Sequence, residues 1–303
     1  MRLVYFGSGV FAVPILRSIL GAGYDVAAVV TQPDRPAGRG RTLRPTPVRQ
    51  LAEASGLRVM AVEKVNEPAV TAEILGLGAR IGVVAAFGQK IGPALLEGFP
   101  ARMINAHASL LPKYRGAAPV NWAIINGEQV TGVTVFRLVE RMDAGEMIVK
   151  RETQIGFGET AEELEERLGG VACDAVKATL ELFKTCDNPP MVAQDESQAT
   201  KAPKLSKKDG FVDFSEPAWK VCRRICGLWS WPGAAADFRK ADGLRRERVI
   251  LARAYVAANE TDAKLPPGTI LPDMTIQAGT GAVRVTEVKP ANSRLMRFEE
   301  FAR

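Results

Sequence analysis

The segment Arg80–Phe87, RIGVVAAF, constrains the fold more than any other because residues 81–87 offer no polar face. A strand that is apolar on both sides must be covered on both sides, as in a parallel sheet flanked by helices. Near the start of the chain, the apolar strand Arg2–Phe6 ends at a glycine turn, and a helix and the strand Tyr24–Val30 follow it. This β-α-β order predicts an α/β, Rossmann-like domain with a mostly parallel sheet.

The pattern of elements changes after a long helix predicted over Thr160–Phe183, where Thr160 and Glu163 form a capping box. A polar, proline-bearing stretch follows and is typical of a linker between domains. Beyond it, short segments such as Phe211–Phe214 and Gly268–Leu271 are predicted as strands between glycine turns. This spacing favours a small β-barrel of the oligonucleotide-binding (OB) type. We therefore predict a first domain over residues 1–187, a linker over 188–208 and an OB-like barrel over 209–303.

Composition is that of an ordinary globular enzyme, with 47% hydrophobic and 24% charged residues. The sequence has no apolar run of about 18 residues and no signal-peptide layout at its start, so we expect a cytoplasmic protein without a membrane span. Cys222 and Cys226 lie one helical turn apart, but this spacing lacks the paired motifs of zinc sites. We predict buried free thiols and no metal.

The positive charge is concentrated in the C-terminal third of the chain. Residues 201–303 carry 19 Lys and Arg against 12 Asp and Glu, whereas residues 1–200 carry 21 against 22. The net charge of +6 therefore predicts a polyanionic partner for the second domain, with the linker lysines among its contacts. The alternative is a basic surface that serves only solubility.

His107, the single histidine of the chain, lies two residues after Asn105 in the stretch MINAHASLLPKYRGAAP. The alternation of Ile104 and Ala106 with these two residues predicts a strand that presents both polar side chains on one face. A neutral imidazole is able to accept a proton near pH 7, and a carboxamide is able to donate to a developing oxyanion. The alternative is a histidine satisfied within the core or exposed on the surface.

Asp143 lies in the tight loop RMDAGE after the next predicted strand. A carboxylate there is able to reach the imidazole, fix its tautomer and stabilise the imidazolium form. The alternative is an aspartate that only forms the turn.

The apolar strand is followed directly by Phe87, Gly88 and Gln89. These residues leave its carboxyl end, where open α/β sheets bind ligands such as a flat heterocycle.

Residues 31–50 contain four prolines, two glycines and five arginines without apolar periodicity. We predict a long exposed loop that binds phosphate through arginine, although a solvated charged loop is the simpler alternative.

The Gly7-Ser8-Gly9 turn matches only half of the glycine motif of dinucleotide-binding domains, so it is weak evidence for such a site. A nicotinamide dinucleotide site needs an acidic residue at the end of the second strand, where Thr31-Gln32 stands, so a dinucleotide oxidoreductase is disfavoured.

Three segments together resemble the folate-dependent formyltransferases. NAHASLLPKYRGAAPVNWAI, MDAGEMI and VVAAFGQKIG are similar to that family's active-site signature, and TQPDRPAGRG resembles the mark of the members that act on methionyl-tRNA. The resemblance covers nearly the whole chain, strongly over residues 1–185 and more loosely beyond 205. One difference is Pro290-Ala291-Asn292-Ser293-Arg294, where the family commonly has Pro-x-Gly-Lys.

The resemblance implies formyl transfer from 10-formyl-tetrahydrofolate, a co-substrate, to the α-amine of methionyl initiator tRNA. We expect the protein to be a monomer. It implies a catalytic trio of Asn105, His107 and Asp143. It implies a folate site lined by Ser109, Leu110, Leu111 and Pro112. We include Phe87, Gly88 and Gln89 in this site because they leave the carboxyl end of the apolar strand. The predicted tRNA contacts are Arg35, Arg39, Arg41, Arg44, Lys204, Lys207 and Lys208.

Two other functions remain open from the sequence. One is a formyltransferase acting on a nucleotide sugar, glycinamide ribonucleotide or another small amine, which the arginine-rich loop and the basic second domain disfavour. The other is a non-catalytic RNA-binding protein, which the presence of Asn105, His107 and Asp143 disfavours.

Overall fold

The computed structural model describes residues 1–37, 42–186, 188–239, 246–258 and 265–302. The chain divides into two compact units. The first contains residues 1–116, 132–153 and 165–201, and the second contains residues 117–131, 154–164 and 202–303. Residues 188–201 of the predicted linker therefore group with the first unit and 202–208 with the second, while the domain limits at 187 and 208 stay a prediction.

The described strands are β1 Arg2–Gly7, β2 Asp25–Thr31, β3 Arg35–Ala37, β4 Thr42–Arg44, β5 Val59–Ala61, β6 Ile81–Ala85, β7 Met103–His107, β8 Arg115–Gly116, β9 Val130–Arg137, β10 Met147–Gln154, β11 Lys201–Ala202, β12 Ala234–Arg239, β13 Arg246–Val256, β14 Ile276–Gln277, β15 Ala282–Pro290 and β16 Met296–Arg297. The α-helices are α1 Ala12–Gly21, α2 Pro47–Ala54, α3 Pro68–Leu75, α4 Pro93–Gly98, α5 Pro119–Asn126, α6 Ala161–Thr185, α7 Ala218–Leu228 and α8 Phe298–Ala302. Two short 3₁₀ helices cover Glu196–Gln198 and Lys207–Gly210.

A seven-stranded sheet in the order β10-β9-β7-β6-β1-β2-β5 forms the centre of the first unit. Strands β5, β2, β1, β6 and β7 pair in parallel, and β9 pairs antiparallel with β7. This arrangement confirms the predicted Rossmann-like sheet. Its strand order reverses between β1 and β6, so the crevice at the carboxyl ends of these strands is the expected ligand position.

The apolar strand that predicted this sheet is buried as expected. Every residue of β6 is buried, and Leu3, Val4, Tyr5 and Phe6 of the neighbouring β1 are 0% exposed. The Phe6 ring packs edge-on against Phe87 with 5.7 Å between the ring centroids. Hydrophobic burial along both strands therefore fixes the position from which the β6 carboxyl end emerges.

The predicted long loop over residues 31–50 contains regular structure. Strands β3 and β4 pair antiparallel, with Arg35 opposite Arg44. Helix α2 then begins at Pro47, where the Thr46 hydroxyl accepts a hydrogen bond from the Arg49 amide. Proline at the first helical position and a threonine cap are standard helix-start signals, so capping fixes the start of the helix that ends this segment.

An antiparallel sheet in the order β12-β13-β15-β14, with β16 paired to β15, forms the second unit together with α5 and α7. This confirms the predicted C-terminal domain of antiparallel strands. Two predicted strands are wrong, since Phe211–Phe214 and Gly268–Leu271 form only isolated bridges. The Asp213 carboxylate accepts hydrogen bonds from the Ser215 amide and hydroxyl, and this local turn interrupts extended pairing.

Helix α6 follows the predicted capping box. The Thr160 amide donates to Glu163 Oε2 at 3.0 Å, and the Glu163 amide donates to the Thr160 hydroxyl at 3.4 Å. Acidic residues in the first turn also favour this end of the helix dipole. Among the described residues, no helix combines the length and the apolar character needed to cross a bilayer.

Candidate active site

The predicted catalytic pair lies on strand β7, beside β6 in the first unit. Asn105 and His107 share one face of this strand, and their backbones lie opposite Phe136 and Thr134 of β9. His107 is only 6% exposed, and Asn105 is half-buried. The alternation of apolar and polar residues along β7 therefore places both polar groups on a rigid strand of the sheet.

The His107 ring is held by the backbone of the loop that follows β7. Its Nε2 lies 2.8 Å from the carbonyl oxygen of Tyr114. Because a carbonyl oxygen only accepts hydrogen bonds, Nε2 carries the proton in this arrangement. Nδ1 is then the nitrogen that is able to accept a proton from a substrate. The Phe136 ring, edge-on at 6.5 Å between centroids, restricts the imidazole from the β9 side.

Asp143 lies close to that accepting nitrogen. Its Oδ2 is 3.8 Å from His107 Nδ1, beyond hydrogen-bond length but close enough for an ion pair with a protonated ring. The same oxygen accepts a hydrogen bond from the Gly116 amide at 2.8 Å. The sequence predicts that Asp143 fixes the tautomer of the imidazole and stabilises its protonated form. In the structure the Tyr114 carbonyl holds the other nitrogen, and Asp143 is placed to stabilise the imidazolium.

The Asn105 carboxamide is available to a ligand. Within the described part of the chain, no hydrogen bond joins its side chain to another group. Buried polar side chains usually have partners, so a half-buried amide that lacks a described partner points to an interaction completed by substrate.

Three non-glycine residues around the site adopt left-handed backbone conformations. They are Ala86 at φ +42°, Tyr114 at φ +62° and Asp143 at φ +49°. Such conformations cost free energy and cluster where surrounding structure holds a functional geometry in place. Ala86 follows β6, and the other two provide the Tyr114 carbonyl and the Asp143 carboxylate.

A hydrogen-bond network that no sequence motif predicts supports the Asp143 loop. Arg115 is 9% exposed and donates to Gln194 Oε1 at 2.7 and 3.0 Å and to the Glu196 carboxylate at 2.9 and 3.1 Å. The Gln194 amide nitrogen in turn donates to the carbonyls of Asp143 at 2.8 Å and Gly145 at 2.7 Å. Gln194 lies in the predicted linker and belongs to no local motif, so only the fold reveals its role.

Thr134 is a second supporting residue without a sequence signal. Its hydroxyl donates to the Ser109 carbonyl at 2.8 Å and accepts from the Leu111 amide at 3.0 Å. The Ser109 hydroxyl donates to the Lys113 carbonyl at 2.7 Å. These bonds hold the segment between His107 and Tyr114 against β9, and so fix the loop that orients the imidazole.

Among the residues predicted to line the folate site, Ser109, Leu111 and Pro112 are buried, and Leu110 is half-buried. Phe87 is 2% exposed, so its ring is not available to a ligand, and its carbonyl accepts a hydrogen bond from the Ser8 hydroxyl at 3.2 Å. Gly88 has a φ of +80°, and a Cβ there would collide with the Gln32 amide, which donates to the Phe87 carbonyl at 2.9 Å. Contact of all these residues with folate stays a prediction.

Gln89 has a structural role in the protein alone. Its amide nitrogen donates to the Val62 carbonyl at 2.8 Å, and its Oε1 accepts from the Val65 amide at 2.9 Å. Both hydrogen-bonding ends of the side chain are therefore committed to the segment after β5. The Gln32 amide is likewise committed, and no acidic ribose-binding residue stands at the end of β2.

The predicted tRNA contacts are distributed over both units. Arg35 and Arg44 face each other across the β3-β4 hairpin, and Arg35 also lies 3.6 Å from Glu63. Lys204, Lys207 and Lys208 are exposed in the second unit. Arg39 and Arg41 fall outside the described residues. The assignment of all seven to tRNA stays a prediction.

The four cysteines are unpaired thiols, as predicted, but only Cys222 and Cys226 are buried. Burial raises the pKa of Cys222 to about 12, which keeps that thiol neutral at physiological pH. Cys173 is half-buried and Cys186 is exposed. In the described ranges, no three His, Cys, Asp or Glu side chains gather in a way that would hold a metal ion.

Comparison with known protein families shows to which family the chain belongs. The family model described as "Formyl transferase" matches residues 1–179, and the model described as "Formyl transferase, C-terminal domain" matches residues 204–303. The chain therefore belongs to the formyl transferase family, and its first unit carries the family's Rossmann-like domain.

Curated relatives within this family match the full length of the chain. The methionyl-tRNA formyltransferase of Solibacter usitatus is 41% identical, with 100% of this chain and 95% of the relative covered. That of Heliobacterium modesticaldum is 39% identical over 100% and 96%. The similarity to enzymes named methionyl-tRNA formyltransferase thus extends over both units of the chain.

Solved structures share the fold at low sequence identity. WlaRD, a sugar 3N-formyl transferase, is 16% identical with a TM-score of 0.70, and 97% of this chain and 99% of that chain are covered. HypX from Aquifex aeolicus in complex with tetrahydrofolic acid is 19% identical with a TM-score of 0.67, over 99% of this chain and 46% of that chain. These likenesses confirm the architecture.

Proposed function

We propose that this protein transfers the formyl group of 10-formyl-tetrahydrofolate to the α-amino group of methionyl initiator tRNA, for translation initiation in the cytoplasm. The observation that carries the proposal is the full-length match to methionyl-tRNA formyltransferases, which includes the basic C-terminal region. The arrangement of Asn105, His107 and Asp143 supplies the groups that such a transfer needs. We also propose that the protein acts as a monomer.

His107 is the proton acceptor in this proposal. The new bond joins the amino nitrogen to the formyl carbon, and the bond that breaks joins this carbon to the donor nitrogen. With Nε2–H held by Tyr114, Nδ1 takes the proton that the attacking amine loses. The resulting imidazolium faces the Asp143 carboxylate at 3.8 Å, and it returns the proton to the departing nitrogen.

Asn105 supplies the complementary donor. As the amine attacks, the formyl oxygen becomes an oxyanion, and the Asn105 carboxamide donates a hydrogen bond to it. A preformed donor on a buried strand costs little reorganisation when charge develops. Leu110, together with backbone groups of residues 87–88 and 109–112, would hold the folate beside this pair.

The basic groups divide the recognition of tRNA in this proposal. Lys204, Lys207 and Lys208 bind phosphates in a way that does not depend on sequence. The β3-β4 hairpin and the arginines between its strands, Arg39 and Arg41 included, deliver the acceptor end to His107.

A formyl-transfer assay with defined acceptors tests the proposal. Purified protein is incubated with 10-formyl-tetrahydrofolate and methionyl initiator tRNA, a methionyl elongator tRNA, an amino sugar nucleotide or glycinamide ribonucleotide. We expect rapid transfer to the initiator tRNA alone. Transfer to a small amine in preference to tRNA would replace the proposed acceptor, and RNA binding without any transfer would remove the enzymatic assignment. Sedimentation of the purified protein tests the monomer.

A further inference from the structure

A pocket of about 380 Å³ lies wholly within the second unit, among residues that the formyl-transfer site does not use. Segments around α5, α7 and β13 line it, together with the loop over residues 155–159. Its walls include Phe157, Tyr255 and Trp219, and its floor includes the buried thiols of Cys222 and Cys226. Three aromatic rings and two buried thiols give this pocket a mainly apolar lining, to which Glu128, Glu159 and Arg223 add charged groups. Its size is typical for organic ligands.

Phe157 is presented to solvent by a loop that is firmly held. Its side chain is 84% exposed, more than any other large apolar side chain among the described residues. On one side the Ile155 amide donates to the Gln129 carbonyl at 2.9 Å. On the other, Arg253 donates to the Gly158 carbonyl at 3.0 Å. The exposure of Phe157 is therefore a feature of an ordered loop.

The loop also fits closely against the aromatic wall. Phe157 and Tyr255 have ring centroids 5.2 Å apart and planes inclined by 31°. Gly158 has a φ of +67°, and a Cβ at that position would collide with the Tyr255 ring. The pair thus forms a preformed platform, with one face of Phe157 open to a further planar group.

Arg223 adds a positive charge at the same pocket. Its guanidinium carbon lies 4.9 Å from the centroid of the Trp219 ring, and its tip packs against Gly127. Within the described residues it forms no ion pair with a carboxylate. A guanidinium that stacks on an aromatic ring and lacks a described counter-ion is suited to phosphate.

We propose that this pocket binds an unpaired nucleotide of RNA, with the base stacked on Phe157 and the adjacent phosphate paired with Arg223. Stacking on aromatic side chains beside a cationic groove is how proteins bind single-stranded nucleic acid without reading its sequence. The net charge of +7 on residues 201–303, from 19 basic and 12 acidic side chains, favours a polyanion over a neutral heterocycle. The choice of RNA over a free nucleotide rests on the proposed function.

The test uses the full-length protein and a single-stranded RNA of about eight nucleotides with one central 2-aminopurine, a length within the site sizes of such modules. Stacking quenches the fluorescence of 2-aminopurine, so titration reports both affinity and base stacking. We expect Phe157→Ala to weaken binding roughly 10- to 100-fold and to abolish the quenching. Phe157→Trp should retain both.

Salt dependence separates the role of the base from that of the phosphate. Arg223→Gln should reduce the slope of log affinity against log salt by about 0.7, the value for one phosphate of a single strand, whereas Phe157→Ala should leave the slope unchanged. Phe211→Ala, which removes another exposed phenylalanine of the second unit, and Arg248→Gln, which removes an exposed arginine that does not line the pocket, are the controls.

The outcomes decide the proposal in either direction. Loss of affinity in the two pocket variants but not in the controls supports it. Wild-type binding by Phe157→Ala, or equal losses in Phe211→Ala, would overturn it. Adenosine monophosphate that competes as tightly as the RNA would assign the pocket to free nucleotides and overturn the choice of RNA. These readouts need no formyl transfer, so failure of the pocket and failure of the proposed function are distinguishable.

Discussion

The active-site region and the second-unit pocket use polar and aromatic groups in opposite ways. In the active-site region His107 is only 6% exposed, and Ser109 and Thr134, which hold the loop after it, are 0% exposed. In the pocket, Phe157 is 84% exposed, and its loop is held by one backbone hydrogen bond and by one that the Arg253 side chain donates. Proton transfer benefits from fixed groups in a low dielectric, whereas binding of a flexible polymer needs an accessible surface on a rigid support.

Two arginines show the same contrast. Arg115 satisfies its donors on Gln194 and Glu196, so its charge serves the structure of the first unit. Arg223 stacks on Trp219 and has no carboxylate partner among the described residues. A buried and paired guanidinium positions its neighbours, while a stacked guanidinium without such a pair keeps its donors for a ligand.

We expect the largest effect on activity from removal of the Asn105 or His107 side chain on β7. Asn105→Ala should lower turnover on the order of 10²–10³-fold because the oxyanion loses its donor. His107→Ala should lower turnover by at least ~10²-fold because the positioned base is removed. Rapid-quench measurement of single-turnover formyl transfer checks both variants.

RNA binding provides the control for these variants. Affinity for the acceptor tRNA should be unchanged in both, since neither side chain is placed to bind phosphate. Near wild-type turnover in both proteins would remove Asn105 and His107 from the chemistry.

A smaller loss should follow when the support of Asp143 is removed. Gln194→Ala deletes the donor to the Asp143 and Gly145 carbonyls, which frees the loop beside His107. We expect a rate roughly 10- to 100-fold lower, as for small misplacements of a reacting group. The pH profile of the rate should shift as well, because the carboxylate that faces Nδ1 moves.

Gln198→Ala is the matched control for this prediction. Its exposed amide donates to Asp195, in the same segment of chain and away from the Asp143 loop. Equal rates and pH profiles for the two variants would show that Gln194 has no positioning role.

The basic segment at the start of the second unit should give a smaller, purely electrostatic effect. Joint replacement of Lys204, Lys207 and Lys208 by Gln should weaken all tRNAs alike and reduce the salt slope by about 0.7 to 0.9 for each phosphate that is no longer neutralised. Filter binding at several salt concentrations measures this. A change in discrimination between initiator and elongator tRNA, with the slope intact, would assign these lysines to specific recognition instead.

The distance along the chain between interacting residues explains what the sequence was able to predict. Local periodicity identified β6, and alternation placed Asn105 and His107 on one face of β7. The capping box of α6 was likewise a signal within four residues. Each of these features depends on neighbours in the chain.

The supporting interactions could not be predicted because they join distant segments. Gln194 reaches the Asp143 carbonyl across 51 residues, and Thr134 reaches the Ser109 carbonyl across 25. Neither residue carries a local pattern. The β3-β4 hairpin was missed for a related reason, since its strands have no apolar face and are only three residues long.

Acid stability gives the smallest expected effect and tests the Arg115 network directly. The hydrogen bond from Arg115 holds the pKa of Glu196 below its ordinary value against the opposing effect of burial, and Arg141 adds to this lowering. A carboxyl whose folded pKa is depressed stabilises the protein above its unfolded pKa of about 4.3, and this contribution disappears as pH falls through the folded value. Glu196→Gln should therefore be less stable than wild type at about pH 7, and the difference should shrink below about pH 4. Because the side chain is half exposed, solvent screening keeps the effect small.

Urea midpoints across this pH range measure the difference in stability, and Glu152→Gln, which changes another exposed glutamate, is the control. A difference that stayed constant with pH would show that Glu196 acts through packing or hydrogen bonding alone, and the charge of the Arg115 network would then have no part in holding the Asp143 loop.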